Sequence, residues 1–269
     1  MPDNTAPLAV TRIVDRADGA RIAWISINNP TRLNCLNSVV MVAFVQALEA
    51  LAEDTSIRAV VLTGEGDRAF IGGADITEMA GLNAESARAF ITRVHACCAA
   101  VRDFPAPVIA RIQGFALGAG LEIAAACDMR VAAAGAQLGM PEVKLGVPSV
   151  VEAALLPSLI GWGRTRQMLL LGSTIDAAEA LAWGLVEQVA APDALDAAVE
   201  AWLDQICEAG PEALRLQKAL IRRWEELPMS GAVQAGIDAF AQAWAGEEPG
   251  RMMGEFLERR RVAKAQKPS

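Results

Sequence analysis

Apolar residues along this chain change their period several times, and the changes mark out its elements. Leu8 to Val14 and Arg21 to Ile27 alternate like strands on either side of Arg16-Ala17-Asp18-Gly19, so the chain opens with a predicted hairpin. Asn28-Asn29-Pro30 ends the second strand. Ser38 to Glu53 then carries apolar residues at helical spacing, and Ala59-Val60-Val61-Leu62 is an unbroken apolar run suited to a buried strand. Thr63 to Asp67 reads as a loop. Phe70-Ile71-Gly72-Gly73-Ala74-Asp75-Ile76 leads from glycines into a helix start.

The alternation continues with a predicted helix from Ala84 to Phe104 and a strand from Pro107 to Ile112. A turn at Gln113-Gly114, a buried helix from Gly120 to Cys127 and a strand from Met129 to Ala133 follow. From Ala153 onward helical patterns dominate, with one strand expected at Leu185 to Val189 and a helix-start pair at Asp176 and Glu179. The tail from Ala198 to Lys264 reads as wholly helical and spaces Trp202, Trp224 and Trp244 widely. Such helices, with no strand to cover, pack on each other or on a partner subunit. The pattern predicts an α/β fold, with a core over residues 1–200 and a helical region over 201–269.

A length of 269 residues is at the upper end of what one core supports, which favours one large domain with a smaller appendage. Apolar residues make up 53 % and mean hydropathy is +0.29, yet no apolar run approaches the roughly 20 residues that span a bilayer. The stretch from Met1 to Pro7 has no basic segment followed by an apolar one, unlike a secretory leader. A soluble, cytoplasmic protein without a membrane partner is expected. Cys35, Cys97, Cys98, Cys127 and Cys207 are odd in number and not spaced for metal, which points to reduced thiols.

A net charge of −8 and a pI near 4.9 argue against a nucleic-acid partner, whose phosphates call for many lysines and arginines. Tyrosine is absent and His95 is the single histidine, so the usual phenol and imidazole catalysts are scarce. His95 falls inside the predicted Ala84–Phe104 helix and is expected to serve helix packing.

The chemistry then rests on carboxylates. Glu122 and Glu142 each follow a glycine-containing turn in an apolar stretch, a setting that forces a carboxyl to be paired, hydrogen-bonded or protonated. A raised pKa is what acid-base work near neutral pH requires. Gly118-Ala119-Gly120 precedes an apolar helix, where free N–H donors and the helix dipole favour negative charge. Gly72-Gly73-Ala74-Asp75 offers a second donor of that kind. Two convergent N–H groups would polarise a thioester carbonyl and stabilise its enolate; taken alone both segments read as tight structural turns, and it is their combination with the two carboxylates that points to chemistry.

Together these segments resemble the enoyl-CoA hydratase/isomerase, or crotonase, superfamily. The resemblance is carried by Asn29-Pro30 with Leu33-Asn34-Cys35-Leu36-Asn37, by Val60 to Gly64, Phe70 to Ile76 and Gly114 to Asp128, and by Gly139-Met140-Pro141-Glu142 with Leu145-Gly146. It implies a spiral core of repeated ββα units and a C-terminal helical region that builds trimers, often paired into hexamers. It also implies that the N–H groups of Ala74 and Ala119 form an oxyanion hole. Glu122 would orient and deprotonate water while Glu142 exchanges the α-carbon proton. Gly72, Asp75, Ile76 and Gly118 would line the substrate, and Arg32 and Leu33 its CoA path, although a solvated Arg32 fits as well. Arg259-Arg260-Arg261 reads as a solvated helix end or a contact to CoA phosphates from a neighbouring subunit.

The implied reaction is reversible hydration of an enoyl-CoA, without cofactor or metal beyond the coenzyme A of the substrate. A double-bond isomerase using one glutamate, another acyl-CoA reaction of the family, and a non-catalytic CoA-binding homologue are the alternatives. One segment departs from the family pattern: Val147-Pro148-Ser149-Val150-Val151-Glu152 replaces a glycine-rich stretch beside the acyl pocket. Two readings of Glu152 compete: an exposed first-turn helix residue, or a third acid-base group.

Overall fold

The computed structural model describes residues 7–16 and 19–265; Ala17 and Asp18 of the expected hairpin turn, and residues 1–6, lie outside them. The chain divides into two compact units, Met1–Leu203 and Asp204–Ser269.

The first unit opens with β1 (Ala9–Asp15) and β2 (Arg21–Ile27), paired antiparallel from Ala9–Ile27 to Asp15–Arg21. Then come α1 (Ser38–Ala52), capped by the Asn37 side chain on the Val40 N–H, and β3 (Ile57–Gly64), which runs parallel to β2. Nearly every residue of β3 is buried, as a central strand covered on both faces requires. β4 (Ala69–Ile71), α2 (Ile76–Met79) and α3 (Ala84–Asp103) complete this turn of the chain. Asn83 and Ser86 close α3 with reciprocal side-chain-to-backbone bonds.

The same move repeats. β5 (Val108–Ile112) is followed by β6 (Phe115–Leu117) and α4 (Ala119–Ala126), and β7 (Met129–Ala133) by β8 (Gln137–Gly139). After two short 3-10 turns, Glu142–Leu145 and Val151–Leu155, come α5 (Leu156–Leu171), β9 (Thr174–Asp176), α6 (Ala177–Trp183), β10 (Gln188–Ala190) and α7 (Leu195–Glu208). From β3 to β8 alternate strands feed two sheets, a six-stranded one ordered β1-β2-β3-β5-β7-β10 and a four-stranded one ordered β4-β6-β8-β9. Successive strands step in one direction across each sheet. The result is a spiral of strand, strand and helix, as expected.

Four short strands escape the periodicity reading. β4, β6, β8 and β9 have three residues each, too few to display alternation. The strand expected at Leu185 to Val189 lies three residues later, at Gln188–Ala190, because Gly184 ends α6 in the left-handed conformation and Leu185–Glu187 bridges to the sheet. Asp176 does cap α6, on the Glu179 N–H.

Buried amides tie the loops beneath the site. Asn34 Nδ2 donates to the carbonyls of Glu65 and Ala69 and its Oδ1 accepts from Asn29 N–H, while Gln113 Nε2 donates to Gly64 and Ala69. Each such bond is worth about 1 kcal/mol, and losing one side chain strands several buried backbone groups.

In the second unit α8 (Pro211–Trp224), α9 (Met229–Ala243) and α10 (Glu248–Ala265) follow in order. Glu248 caps α8 by accepting from Glu212 and Ala213 N–H, and Trp224 Nε1 donates to the Ala232 carbonyl. Val233, Ile237, Phe240 and Trp244 form an exposed apolar stripe on α9. No helix among the described residues is long and apolar enough to cross a membrane.

Candidate active site

Two of the spiral's turns present backbone donors. Leu36 N–H donates to the Gly73 carbonyl and Asp75 N–H to the Leu36 carbonyl, both at 2.8 Å, a parallel bridge centred on Ala74. Such a bridge uses the residues on either side of its centre and leaves the central N–H pointing away. Ala74 therefore turns its own N–H from Leu36, and the residue lies on the wall of a cavity of about 490 Å³. Gly72 is needed because a Cβ there would sit 2.9 Å from the Leu33 Cβ and carbonyl oxygen.

The second donor starts α4. Gly118 at φ +52 closes the turn, its N–H on the Gly139 carbonyl and its carbonyl accepting from Glu122 N–H. Ala119, as the first helical residue, has an N–H without an intrahelical acceptor. It lines the same cavity as Ala74. The helix can dock this closely because Gly120 packs on the Ile71 carbonyl, 2.1 Å from where a Cβ would be.

Both glutamates face that cavity. Glu122, 3 % exposed in the first turn of α4, accepts the Ala153 N–H at 3.3 Å. Burial above all, and then the neighbouring Glu142 carboxylate and that of Glu152, push its pKa up to about 8 against the pull of the Ala153 and Val150 amide hydrogens. Glu142 begins the 3-10 turn closed by Gly146 at φ +78, and its Oε2 accepts from Ser149 Oγ at 2.8 Å. The remaining wall is almost wholly apolar, with Met79, Phe90, Ile91, Val94, Leu145 and Val150 prominent. A carboxyl pair in an apolar chamber, beside free amide donors, can move protons on carbon next to a polarised carbonyl.

Of the other expected site residues, Gly72, Ile76 and Gly118 line the cavity, whereas Arg32, Leu33 and Asp75 do not. Asp75 accepts from the Thr77 and Glu78 N–H groups as the cap of α2 and pairs with Arg32 at 3.1 Å, which supports Ala74 from behind. Burial pushes the Asp75 carboxyl up, but those amide hydrogens, the Thr77 hydroxyl and Arg32 outweigh it, and the net shift is downward. Leu33 holds φ +54 and its carbonyl accepts the Gly72 N–H.

Two expectations are overturned. Glu152 is not an exposed first-turn residue: it is 8 % exposed, because the turn Val151–Leu155 folds inward against α3 and α4. His95 is not a packing residue either. Its side chain is 57 % exposed and Nδ1 lies 2.8 Å from Glu152 Oε1. The helical stripe of α3 passes through Val94 and Cys98, which leaves position 95 at the edge of the buried face. Sequence reading also missed Ser149, the Ala153 amide and the α3 wall of the cavity; α3 apolar positions at helical spacing look the same whether they face a core or a ligand.

Cys97, Cys98 and Cys127 are buried free thiols. Burial first, and then the Glu152 carboxylate, raise Cys97 to about 12. Among the described residues no cluster of three or more His, Cys, Asp or Glu side chains is arranged to hold a metal.

Known proteins resemble this chain along most of its length. The family model described as enoyl-CoA hydratase/isomerase matches residues 17–267. A crotonyl-CoA hydratase of Syntrophomonas wolfei is 35 % identical over 90 % of this chain and 94 % of its own. A short-chain-enoyl-CoA hydratase of Clostridium acetobutylicum is 34 % identical over 90 % and 93 %. The crystal structure of an enoyl-CoA hydratase from Mycobacterium smegmatis superposes with a TM-score of 0.89 at 30 % identity, covering 94 % of this chain and 97 % of that one.

Proposed function

Since this chain belongs to the enoyl-CoA hydratase/isomerase family, we propose that it adds water reversibly across the 2,3 double bond of an enoyl-CoA thioester. The observation that carries the proposal is Glu122, a buried carboxyl raised to about 8 beside Glu142 in one apolar cavity with Ala74 and Ala119.

In this reading the Ala74 and Ala119 N–H groups grip the thioester oxygen as charge develops on it, each donor worth about 3 kcal/mol of barrier. The two carboxyls hold one proton between them. One takes a proton from water as hydroxide adds to C3, and the other delivers its proton to C2, so one water is added and the pair keeps one proton throughout. We assign Glu122 to orient and deprotonate water and Glu142 to exchange the proton at C2. The proton that burial favours on Glu122 is thus the one Glu142 delivers to C2: it passes from one carboxyl to the other before water is deprotonated.

Coenzyme A enters as part of the substrate, and no further cofactor is part of the proposal. The apolar stripe Val233, Ile237, Phe240 and Trp244 supports assembly of copies through the helical region, as a homotrimer or homohexamer. The test is direct: purified protein mixed with crotonyl-CoA should bleach the enoyl absorbance and yield the 3-hydroxyacyl product. Unchanged absorbance across short and long enoyl-CoAs would refute hydration.

A further inference from the structure

Glu152 is buried beside the acid pair, yet the proposed hydration makes no use of it. His95 Nδ1 lies 2.8 Å from its Oε1, its Oε2 is buried, and the Cys98 thiol hydrogen-bonds the same carboxyl from the core side. A carboxylate drawn this far into the core is costly, so something must hold it there. Its two neighbours show what that is tied to. Val151, just before it, has φ +36, a left-handed conformation that a β-branched residue avoids. Ala153, just after it, gives its N–H to Glu122 Oε1. A strained turn persists only where its surroundings over-determine it. Here the bond of Glu152 to His95 on α3 and that of Ala153 to Glu122 on α4 fix consecutive residues, so neither relaxes without moving the other.

We propose that Glu152 is a positioning residue for Glu122: its bond to His95 pins the Val151–Leu155 turn to α3, which holds the Ala153 N–H on Glu122 and sets a fixed negative charge beside the acid pair. The proposal rests on the assignment of Glu122 to proton transfer. Other titratable or charged groups also face this pair from the packed elements. Cys97 and Cys98 on α3 lie near Glu152, with Cys98 held protonated by burial and by the Glu152 and Glu122 carboxylates. Glu142 approaches Glu122 from its own turn, Arg88 on α3 lines the same cavity, and Arg130 on β7 bonds the Ala124 and Cys127 carbonyls at the far end of α4. Of these, only Glu152 combines a negative charge on Glu122 with a tether to the surface through His95.

The two contributions have opposite signs at Glu122. The Glu152 charge favours the protonated carboxyl and the Ala153 N–H favours the ionised one. Glu152→Gln removes the charge and keeps an acceptor for His95. His95→Ala removes the tether at an exposed position, and His95→Gln restores a donor.

Carbon-13 NMR of glutamate-labelled protein, with Glu122→Gln to assign the resonance, reads the Glu122 midpoint directly, and the pH profile of crotonyl-CoA hydration reads it in turnover. Glu152→Gln should lower the midpoint by about half a unit or more, with the profile moving alongside. His95→Ala should raise it and cut kcat about tenfold with KM little changed, and His95→Gln should return both toward the parent values. A midpoint unmoved in Glu152→Gln, or His95→Gln no better than His95→Ala, overturns the proposal. Should Glu152→Gln not fold, the two His95 variants decide alone. If the parent protein hydrates no enoyl-CoA and the midpoint still moves, the hydration reading falls and the positioning role stands.

Discussion

The carboxyl of Glu142 rests against the backbone of Gly118: a Cβ at that glycine would stand 2.5 Å from Glu142 Oε1. The glycine that opens α4, and so frees the Ala119 N–H, is thus also the floor beneath one member of the acid pair. Donor and acid are set by one residue without a side chain.

Gly118→Ala should therefore injure catalysis twice. The new methyl group displaces the Glu142 carboxyl, and at φ +52 the alanine strains the turn. A misplacement of about 1 Å is enough for roughly a hundredfold loss in kcat, with about 1–3 kcal/mol lost from stability. Steady-state hydration of crotonyl-CoA and urea unfolding measure the two effects. A variant within threefold of the parent kcat would show that the contact is unimportant.

Replacing either acid should affect turnover more than folding. Glu122→Gln keeps an acceptor for the Ala153 N–H, and Glu142→Gln keeps one for Ser149 Oγ. Each loses the ability to transfer a proton, a contribution of about 10²–10⁴ in rate. The expected pattern is a collapse of kcat with KM held within a few-fold and unchanged circular dichroism. A double variant should be little worse than either single one, since the two carboxyls act as a unit.

The raised pKa of Glu122 also makes stability depend on pH. Below the ordinary glutamate range both folded and unfolded chains carry the proton, and its burial then brings no penalty. Between about 4.5 and about 8 the unfolded chain has ionised while the folded one still holds the proton, so stability falls through that window and levels off above it. The full loss is on the order of a few kcal/mol, or several degrees in Tm. Glu122→Gln lacks this loss. Its Tm should gain steadily on the parent from pH 5 to pH 8, and parallel Tm curves across that range would contradict the raised pKa.

Much of this was legible in the sequence where the physics is local. A buried strand such as β3 announces itself by the unbroken apolar run Ala59-Val60-Val61-Leu62, and Gly118-Ala119-Gly120 before Leu121-Glu122 marks a helix start with a carboxyl in its first turn. What sequence could not supply were relations between distant segments. His95 and Glu152 are 57 residues apart, and neither position carries a sign of the other. Glu152 in particular follows two valines and precedes two alanines, and whether such a residue points in or out depends on the left-handed twist at Val151, which no propensity anticipates. The small sheet was missed for a related reason: its three-residue strands exist because their neighbours hold them.

Asp75 separates support from chemistry. Its carboxylate caps α2 on the Thr77 and Glu78 N–H groups and meets Arg32, whose side chain is largely exposed, so the ion pair itself is worth little. Asparagine caps a helix about as well as aspartate, whereas alanine forfeits roughly 1 kcal/mol. Asp75→Asn should therefore keep stability and KM close to the parent at pH 7. Asp75→Ala should lose about that energy and raise KM several-fold, because Ala74 directly precedes the cap and its N–H loses its fixed direction. Since the folded carboxyl sits below its ordinary range, its contribution is present above the unfolded value and fades as pH falls through the folded one. Urea unfolding at pH 7 and pH 3, with KM for crotonyl-CoA at pH 7, distinguishes the cases. If asparagine proved as damaging as alanine, the charge facing Arg32, and not the cap, would be what holds Ala74 in place.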